Sequence, residues 1–184
     1  NSDQSPGASP FEGTILKADP ETGEVEVFAR GLRNPFDLVF GPDGALFVVD
    51  QDTNRGKGDL LLHVEQGDDF GHPYVRPELP VDPIGYKAPI AISDPLSSFT
   101  ALVYVDPGTN FPEEYHGCFF VADWAAARVE MVRVARRGEH YEIVERKVFA
   151  EVEDPTDLAI SREGTLYVLS YFGQRLYRIR PVSP

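Results

Sequence analysis

Residues 35–49 and 155–169 are two versions of one text. Pro35-Phe36-Asp37-Leu38, a turn at Gly41-Pro42-Asp43-Gly44 and the run Ala45-Leu46-Phe47-Val48-Val49 return as Pro155-Thr156-Asp157-Leu158, Ser161-Arg162-Glu163-Gly164 and Thr165-Leu166-Tyr167-Val168-Leu169. Pro, Asp, Leu, Gly, Leu and Val coincide without a gap. Each copy reads as two short strands around a tight reversal. The copies lie roughly 120 positions apart, about three units of the 40 to 45 residues typical of four-stranded propeller blades. Val27-Phe28-Ala29 precedes the first copy as Val148-Phe149-Ala150 precedes the second, and the closing strand Arg175-Leu176-Tyr177-Arg178-Ile179 is similar to Thr14-Ile15-Leu16-Lys17-Ala18. A repeat of this kind buries its apolar faces only by stacking on its neighbours.

The rest of the chain keeps the rhythm. Thr14 to Lys17 and Val25 to Phe28 flank a turn at Asp19 to Gly23, and 102–105, 118–123 and 129–134 form a diverged middle blade. With 16 Gly and 16 Pro, no stretch of ten or more residues sustains a helical period. The expected fold is all-β, a β-propeller of about three four-stranded blades plus a hairpin, spanning residues 13–184, with 1–12 as a linker or tail. Known propellers close with four to eight blades, so three leave strand edges to be covered. Further blades of a longer polypeptide or of a partner chain are the favoured cover, and a closed four-bladed ring is the third arrangement. The Pro-rich segment Gly71 to Pro95 interrupts the blade rhythm and maps to one face, where pockets are built.

Charge and composition exclude several functions. The net charge of −13 repels phosphate backbones and anionic membrane surfaces. No apolar run approaches the ~20 residues that span a bilayer. The chain opens on Asn1 and a polar stretch in place of Met and a signal sequence, which reads as a processed or excised product. The single cysteine, Cys118, excludes an internal disulfide and reads as a buried structural thiol. Gly56-Lys57-Gly58 lacks the spacing of a phosphate loop, and no serine nucleophile elbow occurs.

The string Gly31-Leu32-Arg33-Asn34-Pro35-Phe36-Asp37-Leu38-Val39-Phe40, with Pro42-Asp43-Gly44 and Leu46-Phe47-Val48 behind it, resembles the glucose/sorbosone dehydrogenase family of six-bladed propellers. Asp50-Gln51, Gly67 to Pro73, Phe111-Pro112, Tyr115-His116-Gly117 and Phe120 to Trp124 fall in that family's order, so the resemblance covers residues 13 to 181. Ala122-Asp123-Trp124 and Phe36-Asp37-Leu38 look nearer to the membrane-bound dehydrogenase propellers often fused to cytochrome c. The resemblance implies a module of a sugar or alcohol dehydrogenase dependent on pyrroloquinoline quinone (PQQ), in a periplasmic or extracellular location, with a cytochrome c domain as a possible partner.

It further implies that Arg33 and Asn34 contact the quinone, with Gln51 close by. A guanidinium suits that role because its rigid fork donates to quinone and carboxylate oxygens and keeps its charge. On the residues alone, the same segment also reads as blade punctuation, with Asn34 extended before Pro35 and Arg33 capping carbonyls or pairing with an acid. A cofactor-bridging calcium is implied at the backbone carbonyls of Asp52 and Thr53. The loop Asp50 to Asp59 is rich in oxygen ligands but is not an EF-hand, and it also reads as a solvated loop. Where the soluble enzymes hold the quinone's carboxylates with one Lys and two further Arg, this chain has Ala125, Asp154 and Thr156.

The family's catalytic histidine lies on a preceding blade, and none of His63, His72, His116 and His140 matches it; the catalytic residue is unknown. His72, beside Asp68 and Asp69, reads as a solvated turn residue or as a face-exposed acid or ligand. Trp124 reads as filling between blades or as a sugar-stacking ring. Three functions follow as expectations: a quinone-dependent dehydrogenase module, a non-catalytic propeller serving binding or assembly, and a glycan-binding or hydrolytic propeller, for which no carboxylate pair stands out.

Overall fold

The computed structural model describes residues 13–51, 58–72, 87–92 and 97–180. Strands β1 (Ile15–Ala18) and β2 (Val25–Ala29) form a hairpin. Strands β3 (Pro35–Phe40), β4 (Leu46–Asp50), β5 (Leu60–Val64) and β6 (Ala91–Ile92) form a four-stranded antiparallel sheet. A second is built from β7 (Phe99–Tyr104), β8 (Cys118–Asp123), β9 (Arg128–Arg137) and β10 (His140–Glu151). β11 (Pro155–Ile160), β12 (Leu166–Ser170) and β13 (Arg175–Ile179) form three strands of another. The expected partition into blades is thus met by two four-stranded sheets, a three-stranded sheet and a hairpin among the described residues. By position, β1 and β2 precede β3 as β9 and β10 precede β11, so the hairpin is the outer half of a blade.

The register repeats with the sequence. Pro35 pairs with Asp50 and Asp37 with Val49, Pro155 pairs with Ser170 and Asp157 with Leu169, each across one irregularity. Phe99 pairs with Asp123 and Ala101 with Ala122 in the same way, so the diverged middle sheet keeps the shared geometry. Proline suits the first position of β3 and β11 because a strand's opening residue needs no N–H for the ladder.

Sheets stack face to face, which explains why all of Leu46–Asp50 and Cys118–Asp123 are buried. Leu46 and Val48 join Ile15 and Ala29 in one core, while Phe47 and Val49 join Phe99, Phe119 and Val121 in the next. Cys118, Phe120 and Ala122 turn the other way, onto Leu158, Leu166 and Val168. Period-two alternation therefore serves two cores at once. Burial pushes the Cys118 thiol up, as befits an inert structural cysteine. The outermost faces remain uncovered: Leu169 and Leu176 on the last sheet, and Val25 and Val27 on the hairpin, are exposed.

The first strands of the three larger sheets lie side by side, β7 touching both β3 and β11, as the inner strands of a propeller do. Leu102 N donates to Asp37 Oδ2 at 2.8 Å, and Thr100 Oγ1 donates to the Pro155 carbonyl at 2.7 Å. Asp37 Oδ1 also accepts from Leu38 N at 2.8 Å. Desolvation nevertheless holds the Asp37 carboxyl above its ordinary value of 3.8. A raised folded-state pKa means that this group's contribution is full below 3.8 and is lost as pH rises through the folded value. Urea midpoints measured across this window should fall for the wild type relative to Asp37→Asn as pH rises. The variant carries a constant offset of about 1–3 kcal/mol for the lost acceptor. A gap independent of pH would show that Asp37 is not desolvated.

Candidate binding face

The loops that enter β3, β7 and β11 and those that leave β4, β8 and β12 meet on one face. One backbone bond recurs there in each sheet: Gln51 N to Asn34 O at 3.1 Å, Trp124 N to Ser98 O at 2.8 Å, and Tyr171 N to Asp154 O at 3.3 Å. Gln51, Trp124 and Tyr171 therefore occupy equivalent places, and so do Asn34, Ser98 and Asp154. In the first two sheets the residue before Gln51 and before Trp124 anchors the entering loop. Asp50, 2% exposed, accepts from Arg33 N at 3.0 Å and Asn34 N at 2.7 Å, and Asp123 accepts from Ser98 N at 2.9 Å.

Arg33, Asn34 and Gln51, named together from sequence, are brought together here. Arg33 Nη1 donates to the Gln51 carbonyl at 2.9 Å and Asn34 Nδ2 to Gln51 Oε1 at 2.9 Å. Gln51 Nε2 crosses to the next sheet, donating to Ser98 Oγ at 2.9 Å and to the Phe99 carbonyl at 3.2 Å. Gln51 is thus a clamp between two blades. Ser98 completes the cluster and carries no local sequence signal; only its equivalence to Asn34 points to it. Arg33 caps a carbonyl as the structural reading required, yet its Nε is buried and has no hydrogen-bond partner among the described residues.

The backbone of His72 reaches the same loop, its N–H donating to the Gly31 carbonyl at 2.8 Å. His63 is buried against Phe47 and Tyr141, where desolvation lowers its pKa and favours the neutral ring. His116 Nε2 lies 2.7 Å from the Phe111 carbonyl, and His140 is exposed at the start of β10. Trp124 is half-buried on the loop face.

Asp52 and Thr53, the implied calcium ligands, lie outside the described residues, as does 73–86, most of the Pro-rich insertion. Beyond the undescribed residues 52–57, the chain is anchored at Asp59, buried, whose Oδ2 accepts from Phe99 N at 2.7 Å. Among the described residues no cluster of three or more His, Cys, Asp or Glu side chains is arranged to hold a metal.

The two sides of the face differ in their fit to a carboxylated quinone. Arg33 offers a guanidinium with an orphan donor. Across the face, Ala125 is an exposed turn residue, Asp154 is half-buried and Thr156 Oγ1 donates to the Leu169 carbonyl at 3.3 Å. None is a cation, and Glu153 adds a second acid beside Asp154. Two like charges about 4 Å apart repel by about 4 kcal/mol at the effective dielectric of a protein surface.

No family model matches the chain, and no curated protein matches it. Solved structures do match. The PQQ-bound aldose sugar dehydrogenase of Streptomyces coelicolor is 19% identical with a TM-score of 0.65, over 86% of this chain and 46% of that one. The holo PQQ domain of pyranose dehydrogenase from Coprinopsis cinerea is 11% identical with a TM-score of 0.68, over 92% and 61%. The soluble aldose sugar dehydrogenase of Escherichia coli, in the apo form, is 19% identical with a TM-score of 0.56, over 89% and 47%. The chain therefore has the β-propeller fold of the glucose and aldose sugar dehydrogenases, and it spans about half the length of these structures. No helix among the described residues is long and apolar enough to cross a membrane.

Proposed function

We propose that this chain is a module of a PQQ-dependent-type sugar or alcohol dehydrogenase propeller that receives the quinone and a sugar-like substrate on its loop face. The observation that carries the reading is the convergence of Arg33, Asn34 and Gln51, with Arg33 Nε buried and lacking an acceptor among the described residues. Leaving such a donor unsatisfied costs about 1–3 kcal/mol, which a ligand oxygen would offset. Arg33 would donate to quinone or carboxylate oxygens, Asn34 would present its free amide oxygen edge, and Gln51 would hold both against the next blade. Calcium would sit on the carbonyls of Asp52 and Thr53. The quinone, when bound, supplies the hydride acceptor that no side chain can provide. The remaining blades, the catalytic base and any cytochrome c domain would come from the same polypeptide or a partner chain, in the periplasm or outside the cell.

A second reading, a non-catalytic propeller for binding or assembly, is favoured by Ala125, Asp154 and Thr156, which leave a carboxylated quinone without its cations. Incubating the full-length protein with calcium and PQQ separates the two. The dehydrogenase reading expects a shift in quinone absorbance and sugar-dependent dye reduction, both weakened about tenfold or more by Arg33→Ala. Absence of quinone binding to a complete ring would leave the assembly reading alone.

A further inference from the structure

Three aromatic rings stand on the loop face beside the Arg33 cluster and have no part in it. Trp124 lies with its ring centroid 6.1 Å from that of Phe172, at 48°, and Phe172 lies 5.0 Å from Tyr171, at 75°. Tyr171 is 69% exposed and Phe172 65%. The fold does not require rings here, since the equivalent turn of the preceding sheet continues from Trp124 as Ala125-Ala126-Ala127. Nor do they sit on a loose tip. Tyr171 N is bonded to Asp154 O, and Gln174 N donates to Tyr171 O at 3.2 Å. A Cβ on Gly173 would fall 2.4 Å from Ser170 Oγ, so the turn is closed tightly beneath the rings. Around them is a polar rim, with Glu153 Oε2 and Arg175 Nη1 4.0 Å apart and both exposed, and with Asp154 beside them.

We infer that Trp124, Phe172 and Tyr171 form a stacking site for a neutral oligosaccharide. A pyranose ring has an apolar C–H face and a periphery of hydroxyls. The first matches the face of an aromatic ring, and the second matches carboxylate acceptors and guanidinium donors. Phe172 is tilted against both Trp124 and Tyr171, so a sugar stacked on one ring is flanked by the next. Glu153, Asp154 and the chain's net charge of −13 select against uronates and sulfated glycans. The inference rests on reading the loop face as the ligand side of a sugar-dehydrogenase-like propeller, but it needs neither quinone nor calcium.

Trp124 is the only tryptophan of these 184 residues, and a Trp124→Phe variant of the full-length protein isolates its share of the intrinsic fluorescence by difference. The full-length protein, free of quinone and calcium, is titrated with maltohexaose and cellohexaose, and with a galacturonate hexamer as the anionic control. A saturable change in Trp124 emission is expected with at least one neutral hexamer and none with the galacturonate. Phe172→Ala and Tyr171→Ala should each weaken binding about tenfold with unchanged melting temperature. No response to either neutral hexamer, or affinity unchanged in both variants, overturns the site. So does a large loss of thermal stability in Phe172→Ala, which would mean that a neighbouring blade covers the rings. Sugar binding without quinone binding would leave this site standing and remove the dehydrogenase reading; quinone-dependent turnover with silent fluorescence would do the reverse.

Discussion

Gly31→Ala should lower stability by about 3 kcal/mol and disorganise the loop that carries Arg33 and Asn34. Two costs combine. Gly31 has φ of +78°, a left-handed conformation that costs an L-residue about 1–2 kcal/mol. A Cβ there would also lie 2.3 Å from Asp69 Oδ1, 2.4 Å from Gly71 N and 2.7 Å from Phe70 N. The carboxylate can swing aside but the two backbone nitrogens cannot, because Phe70 N donates to Arg30 O and His72 N to Gly31 O. Overpacking of that kind costs a further 1–3 kcal/mol or so. Gly44→Ala is the control: φ is +72° and nothing lies within 4 Å of its Cβ, so only the conformational cost remains. Thermal melts should show Gly31→Ala about 6–12 °C below the wild type, and Gly44→Ala about 2–8 °C below it. Equal losses in the two variants would show that the close approach of residues 69–71 to Gly31 does not constrain the fold.

Asp50→Ala should cost a similar amount, about 3 kcal/mol, by a different route. Its carboxylate accepts from two successive backbone N–H groups, those of Arg33 and Asn34. Hydrogen bonds to a charged acceptor contribute about 1.5–3 kcal/mol each, and alanine leaves both donors without it in a half-buried loop. Asn34 has little room to adjust, since it precedes Pro35 and is confined to extended conformations. Asp50→Asn keeps the shape and one acceptor oxygen, so its loss should be roughly half. Amide hydrogen exchange gives the decisive readout: Arg33 and Asn34 should lose protection in Asp50→Ala while the amides of β8 keep theirs. Unchanged protection at Arg33 and Asn34 would mean that the loop is held by the Gln51 bonds instead. Quinone or sugar affinity, where present, should fall together with that protection.

Much of the fold was legible because its signals are local. The turns at Gly41 to Gly44 and Ser161 to Gly164, the alternation on both sides of them and the prolines that open β3 and β11 lie within windows of about fifteen residues. The Arg33, Asn34 and Gln51 cluster was legible through a motif match. Its chemistry was less so: Gln51 carries a clamp to Ser98 and Phe99 on another sheet, and that bond spans 47 residues of chain. The aromatic group was half visible, since Trp124 stood out, while Phe172, and Tyr171 through it, join Trp124 only by the packing of neighbouring turns.

Sequence alone determined that this is a chain of short strands in a repeating unit, where each unit begins, and which residue types stand at each loop. The tertiary structure decided which sheet faces which, and hence that Phe47 and Val49 pack toward Phe119 while Leu46 and Val48 pack toward Ile15. It also decided that Asp37 reaches Leu102, 65 residues away, to join two inner strands. The middle sheet shows why. With Phe99 and Ala101 in place of the Pro and Asp of its neighbours, it still adopts their register, because backbone ladders and stacking enforce the geometry whatever the side chain. Alternation states which residues share a face, but the partner of that face is chosen by the packing of the whole array.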